Sequence, residues 1–190
     1  MVRHAQARFL VPNELARQAS GQRQDRGTDE TLGVASYQHI FSADLVADAR
    51  AMARDNSDTL ASNLLSTPIF ANQDRGFRGG YFRAWISAHH NNQDWKAGVE
   101  ADSTSLRERF NYTITDFSQF DPGTPSPFSF RGQGFDLEQS AFVQDVIRLR
   151  DWTLSGGLRS DHYQLLVNQN ALSPRIGLSR YFAESPSQAR

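Results

Sequence analysis

The sequence contains no cysteine, which removes a disulfide framework, thiolate metal ligation and a cysteine nucleophile together. It also lacks any run approaching the ~18 to 20 consecutive apolar residues that a membrane helix needs, and its mean hydropathy is -0.57. This excludes helical spans alone, because a barrel strand needs only about ten residues, alternately apolar and polar, and its average hydropathy stays low. Neither sign of charge is in excess: 20 Lys+Arg face 21 Asp+Glu for a net charge of -1. No broad basic surface is offered to a phosphate backbone, so nucleic acid is not expected as a partner. The opening residues Met1-Val2-Arg3-His4-Ala5-Gln6 carry neither the apolar core nor the small-residue cleavage site of a secretory signal. At 190 residues the chain has room for one domain with a real core, and nothing calls for two.

What is present is a period of two. Over 94–104, Trp95, Ala97, Val99, Ala101 and Ser103 share one face, and Lys96, Gly98, Glu100, Asp102 and Thr104 the other. Over 152–161, Trp152, Leu154, Gly156 and Leu158 oppose Thr153, Ser155, Gly157, Arg159 and Asp161. Over 81–88, Phe82, Ala84, Ile86 and Ala88 align, although Trp85 on the opposite face breaks the alternation. Over 137–149, Leu137, Ala141, Val143, Ile147 and Leu149 align around an interrupting Asp145, against Glu138, Phe142, Gln144, Val146 and Arg148. Segments 31–41 and 173–182 read as further strands, with a short one at 8–11 before Pro12. Segment 43–54 is ambivalent: alanine at 43, 47, 49, 51 and 53 favours helix, yet the alternation favours strand. Strand is the reading adopted, because its neighbours are strands and propensity yields to context.

Asn91-Asn92-Gln93 and Arg150-Asp151 are short polar turns suited to antiparallel neighbours. Segment 117–135, with Pro122-Gly123, Pro125, Pro127 and Gly132-Gln133-Gly134, reads as a long loop, and 56–74, with Pro68, as a second. Tight turns alternating with long loops are the pattern of an outer-membrane barrel.

Several features invite chemistry and are better explained without it. His89 and His90 are adjacent, so on a strand they point to opposite faces and do not share a metal ion. His4, His39 and His162 complete the histidines. The same-face carboxylates Glu100/Asp102 and Asp44/Asp48 suit a solvated wall, and no pocket is implied that would tune them for acid/base work. Arg131-Gly132-Gln133-Gly134 is too short for a phosphate-binding loop and does not join a strand to a helix. Asn111-Tyr112-Thr113 matches a glycosylation acceptor incidentally. The Phe-rich stretch holding Phe117, Phe120, Phe128, Phe130 and Phe135 either contacts an apolar ligand or packs on itself, the commoner arrangement. No catalytic residue, cofactor or metal site is therefore expected.

Five phrases carry a family resemblance: Ser66-Thr67-Pro68-Ile69 with Gln73-Asp74-Arg75, Trp95-Lys96-Ala97-Gly98-Val99-Glu100, Ala141-Phe142-Val143-Gln144-Asp145, Leu154-Ser155-Gly156-Gly157-Leu158-Arg159-Ser160-Asp161, and Leu172-Ser173-Pro174-Arg175-Ile176-Gly177-Leu178. In this order the chain resembles the middle barrel strands of TonB-dependent receptors, particularly the large-loop group whose plug follows a carboxypeptidase-regulatory-like domain. The physics agrees with the resemblance. Gly98, Gly156, Gly157 and Gly177 leave room for close approach, and Trp95 and Trp152 stand beside short turns, where an aromatic girdle meets the membrane interface.

The resemblance implies an all-β fold: an antiparallel up-and-down meander forming part of a transmembrane β-barrel in the cell outer membrane, with long loops on one side. A whole receptor of this family has a signal peptide, a TonB box and a plug ahead of about 22 strands. None of the first three is found here, and Ser187-Gln188-Ala189-Arg190 lacks a terminal aromatic strand. The sequence, 1–190, is accordingly read as a fragment or truncated reading frame of about eight to ten strands. The implied function is uptake of a bulky nutrient such as an iron-siderophore complex, a cobalamin or an oligosaccharide. The implied partners are outer-membrane lipid, a plug domain and the TonB complex. Lys96, Glu100, Asp102, Arg159, Asp161 and Arg175, each opposing a small or apolar face, are the candidate lumen-facing polar residues, expected to hold plug and water. The alternative is a soluble β-barrel or β-sandwich that binds ligands or partners, whose apolar faces would turn into a tightly interlocked core.

Overall fold

The computed structural model describes residues 1–11, 14–165 and 167–182. Pro12 and the ending 187–190, both noted in the sequence, lie outside them. Eight strands form one sheet in sequence order: β1 Val2–Val11, β2 Gln24–Ser42, β3 Leu45–Ser62, β4 Ile69–His90, β5 Gln93–Ile114, β6 Phe128–Leu149, β7 Trp152–Gln164 and β8 Asn168–Arg180. The expected antiparallel meander is therefore present. A five-residue helix, α1 Leu15–Ala19, stands between β1 and β2, and a 3₁₀ turn, Phe117–Gln119, between β5 and β6.

Three two-residue turns, 43–44, 91–92 and 150–151, join β2 to β3, β4 to β5 and β6 to β7. Asn91 (φ 56°) and Arg150 (φ 54°) adopt the left-handed backbone that these tight reversals require. The other connections are 12–23, 63–68, 115–127 and 165–167. The first three brace one another. The Thr115 hydroxyl donates to the Ser66 carbonyl at 2.9 Å, the Thr115 amide donates to the Pro68 carbonyl at 2.8 Å, and the Asn63 amide donates to the Arg23 carbonyl at 2.8 Å.

Several sequence expectations need correction. Segment 43–54 is strand from Leu45, with Ala43 and Asp44 in the turn that starts it. The expected loop 56–74 shrinks to 63–68, because β3 runs on to Ser62 and β4 begins at Ile69. The expected loop 117–135 gives up its last eight residues to β6, which begins at Phe128. β1 starts at Val2 and pairs with β2 along its whole length, from Val2↔Gly33 to Val11↔Gln24. In the two loop corrections polar residues, proline and glycine weaken the two-residue rhythm, yet ladder hydrogen bonds and cross-strand pairs hold these stretches in the sheet. Asp58 on β3 takes Arg26 of β2 at 2.8 Å and Arg75 of β4 at 3.4 Å. Phe110 stacks on Phe130 at 5.9 Å between ring centres, and Tyr112 on Phe128 at 6.2 Å. Phe128, Phe130 and Phe135 are thus strand residues rather than loop residues.

The residues gather into two compact units. One holds the described residues of 1–35, 52–80 and 103–136, and the other those of 36–51, 81–102 and 137–190. Among the described residues Ala71 and Ile114 are the buried hydrophobics, and no large side chain is wholly buried. A soluble sandwich or ligand-carrying barrel needs a dense interlocked centre of bulky side chains, so this burial pattern counts against that alternative. In the second unit large apolar side chains stand exposed instead. Val143 is 52%, Leu158 43% and Ile176 86% exposed.

Candidate functional site

The register of the second unit sorts its side chains cleanly. Across β6 and β7, Phe142 lies opposite Arg159 and Gln144 opposite Gly157 on one face, while Val143 lies opposite Leu158 on the other. Across β7 and β8, Gly157 faces Arg175 and Arg159 faces Ser173, while Leu154 faces Leu178 and Gly156 faces Ile176. Successive residues of a strand point to opposite sides. One side of the wall is therefore largely apolar, interrupted by Asp145 across from Gly156, and the other carries the clustered charge.

The charged side holds a concavity of about 200 Å³ lined by Arg83, Lys96, Glu100, Phe142, Gln144, Gly157, Arg159, Ser173 and Arg175, with Val143 and Leu158 also bordering it. Glu100 of β5 is its hinge. One carboxylate oxygen lies 3.1 Å from Arg83 Nε of β4, an ion contact whose N–H is not aligned on the oxygen. The other accepts a hydrogen bond from Arg159 Nη1 of β7 at 3.1 Å and one from Ser140 Oγ of β6 at 3.5 Å. Arg159 Nε donates to Asp161, two residues along the same strand face, at 2.7 Å. A guanidinium offers five N–H donors in a rigid fork, which lets Arg159 bridge two carboxylates at once. Lys96 Nζ sits 4.0 Å from the centre of the Trp85 ring, a cation over the negative face of an indole.

Of the six residues proposed from sequence, the structure brings Glu100, Arg159 and Asp161 into one ion network and sets Lys96 and Arg175 on the same concavity. Asp102 is exposed and takes no part in this network. Arg83, Trp85 and Phe142 were not among those six candidates. Arg83 and Trp85 share the polar face of the 81–88 run, and the bulky apolar Trp85 there masked the signal. His89 Nδ1 bonds Asp94 Oδ1 at 2.6 Å, and Asp48 takes Arg50 Nε at 3.1 Å, so each has its own local partner. Among the described residues no group of three His, Asp or Glu side chains is placed to hold a metal ion.

The chain as a whole was compared with known proteins. The family model for TonB dependent receptor-like β-barrels matches residues 5–185. The chain belongs to the TonB-dependent receptor β-barrel family. Its members are receptors for transport rather than enzymes, and their barrels stand in the outer membrane. Among solved structures, the receptor barrel of this chain is similar to the ferric yersiniabactin uptake receptor FyuA of Yersinia pestis, with a TM-score of 0.51 and 14% identity. The match covers 83% of this chain and 25% of that one, so the chain spans about a quarter of that receptor's length. A likeness at that identity speaks for the fold alone. Among curated protein sequences none matches the chain.

Within a receptor barrel the glycines divide into two kinds. A Cβ at Gly157 would meet the Val143 carbonyl at 3.2 Å, and one at Gly177 the Ser155 hydroxyl at 2.5 Å, while one at Gly156 would meet nothing within 4 Å. The close approach expected for all four strand glycines thus does not extend to Gly156.

Proposed function

We propose that this chain supplies eight wall strands of an outer-membrane receptor that takes up a bulky nutrient, such as an iron-siderophore complex or an oligosaccharide, with energy passed from TonB to a plug domain. The apolar face turns to lipid and the charged face to a water-filled interior. The observation that carries this reading is the two-faced wall itself: Val143, Leu154, Leu158, Ile176 and Leu178 exposed on one side, the Arg83–Glu100–Arg159–Asp161 network on the other. In lipid only closed hydrogen-bonded sheets or helices satisfy the backbone, so a sheet with a greasy outer face is at home there. Trp95 and Trp152, both exposed, stand at the turn ends of β5 and β7 as a girdle requires.

Lys96, Glu100, Arg159, Asp161 and Arg175 then hold water and the plug against the inner wall, with Asp102 in bulk water beside them. A siderophore is named as one cargo because the structural relative is a ferric yersiniabactin uptake receptor. An oligosaccharide fits the same wide, wet interior.

The absence of native cysteine makes the test clean. Single cysteines are placed at Val143, Leu158 and Gln144 in the chain reconstituted in lipid vesicles and treated with a charged maleimide. Gln144→Cys reacts at the rate of an exposed thiol, whereas Val143→Cys and Leu158→Cys are protected. Equal labelling of both faces, or the reverse order, overturns the proposal.

A further inference from the structure

We infer that the charged concavity is a binding site for an anion, with a small-molecule carboxylate as its occupant. The inference rests on the reading that this face is wet, and it goes beyond holding water and plug. Four cations converge there, Arg83, Lys96, Arg159 and Arg175, against two carboxylates, Glu100 and Asp161. The carboxylates are already engaged. Glu100 is held between Arg83 and Arg159, and Asp161 by Arg159.

Two cations remain unmatched. Among the described residues neither Lys96 nor Arg175 has a carboxylate within 4.0 Å. The reason is visible in the register: Arg175 lies directly across from Gly157, which has no side chain to offer, and the next residue over on that row is the neutral Gln144. Lys96 rests on the Trp85 ring, which attracts its charge without consuming its three N–H donors. Lys96 and Arg175 thus both line the concavity, whose floor beside Arg175 is Gly157 with the Gln144 amide next to it. This arrangement suits an oxyanion, since a guanidinium binds a carboxylate through two parallel N–H bonds and charge-assisted bonds are about twice as strong as neutral ones. A neutral sugar would leave both charges uncompensated in a wall whose low-dielectric side strengthens their field. The volume of about 200 Å³ admits a compact polycarboxylate head and is too small for a whole bulky nutrient. The site therefore reads one acidic group of a larger cargo.

Lys96 is the only lysine in the chain, and this provides the probe. The full 190-residue chain in detergent micelles is reductively methylated with ¹³C-formaldehyde, so that Lys96 and the N-terminal amine alone carry a label, and is titrated with citrate. Saturable movement of the Lys96 resonance is expected, absent with sodium chloride at matched ionic strength and with maltose. Arg175→Gln weakens the citrate response by about tenfold, Arg175→Lys retains most of it, and Glu100→Gln, which removes the competing carboxylate, strengthens it. A citrate response no different from that of sodium chloride in the unsubstituted chain overturns the inference, and so does an undiminished response in a folded Arg175→Gln. Inorganic phosphate binding as tightly as citrate overturns the preference for carboxylate. Binding of a glutamate-rich peptide with citrate inert overturns the small-molecule occupant in favour of a protein one. Failure of Lys96 to react with the aqueous reagent at all would instead sink the wet-face reading on which the site stands.

Discussion

Gly98 sits where a Cβ would lie 2.7 Å from the carbonyl oxygen of Ala84 and 2.7 and 2.8 Å from Cε1 and Cζ of Phe142. The ring can move by rotating about its side-chain bonds, but the carbonyl belongs to the neighbouring strand and moves only if the ladder does. Gly98→Ala is therefore expected to destabilise the folded chain by about 1–3 kcal/mol, as overpacking generally does. Gly156→Ala, with open space around it, is expected to stay within about 0.5 kcal/mol of the parent. Urea unfolding of both variants in micelles reads the difference, and equal losses would remove the steric account. At this scale the sequence was partly legible. Lys96, Glu100, Arg159, Asp161 and Arg175 could be chosen because each opposes a small or apolar residue on an alternating strand. Arg83 could not, since its companion Trp85 put a large apolar ring on the polar side, and only the structure shows Lys96 lying over that ring. The cluster's central contact, Glu100 to Arg159, spans two strands far apart in sequence, a pairing that period two alone does not encode.

Element boundaries were legible where the strand has one greasy face and illegible where it has none. β4, β5 and β6 are each 22 residues long, about twice the 9–11 residues of a tilted membrane crossing. The portions beyond that length need no apolar stripe, so their residues, such as Asn72 to Gly80 or Ser105 to Asn111, resemble loop to a reader of hydropathy. The alanines of β3 favour helix by propensity, but the alternation pointed to strand, and the ladder to its neighbours overrides the propensity. Beyond β5 the 3₁₀ turn is built locally. Asp116 accepts from the Ser118 hydroxyl at 2.6 Å, the Ser118 amide at 3.0 Å and the Gln119 amide at 3.1 Å. These donors, the Ser118 hydroxyl foremost, favour the ionised carboxyl and hold its pKa below the ordinary carboxylate value. A depressed folded value means the stabilisation is fully present above the unfolded value and is lost as pH falls through the folded one. The Ser118 amide is accordingly expected to stay protected from hydrogen exchange, relative to an unfolded peptide, down through the usual carboxylate range, and to open only in stronger acid. Asp116→Ala removes that protection at every pH, and an unchanged pH profile in this variant would disprove the cap's role.

For the whole molecule the decisive variable is what lies against the apolar stripe, and hydropathy averages cannot report it because the two faces cancel. The alternation in the sequence keeps the two faces apart. The exposed cross-strand pair Val143 and Leu158 and the parallel pair Leu154 and Leu178 show the same division in three dimensions. If this stripe meets lipid, a charge placed on it must leave water for hydrocarbon. Leu158→Arg is then expected to cost about 2–4 kcal/mol if the residue lies near the bilayer midplane, falling toward zero near the interfaces. The same substitution on a water-exposed protein surface stays within about 0.5 kcal/mol. Gln144→Arg, one position from Val143 but on the other face, supplies the internal control: it adds an equal charge to a wet wall and is expected to change stability little. Unfolding of the two variants in phospholipid vesicles, followed by β-type circular dichroism, compares them under one condition. A large loss for Leu158→Arg with a small one for Gln144→Arg places lipid on the stripe. Equal small losses would mean that water reaches both faces, and the membrane assignment of these strands would fail even though the family and the fold stood unchanged.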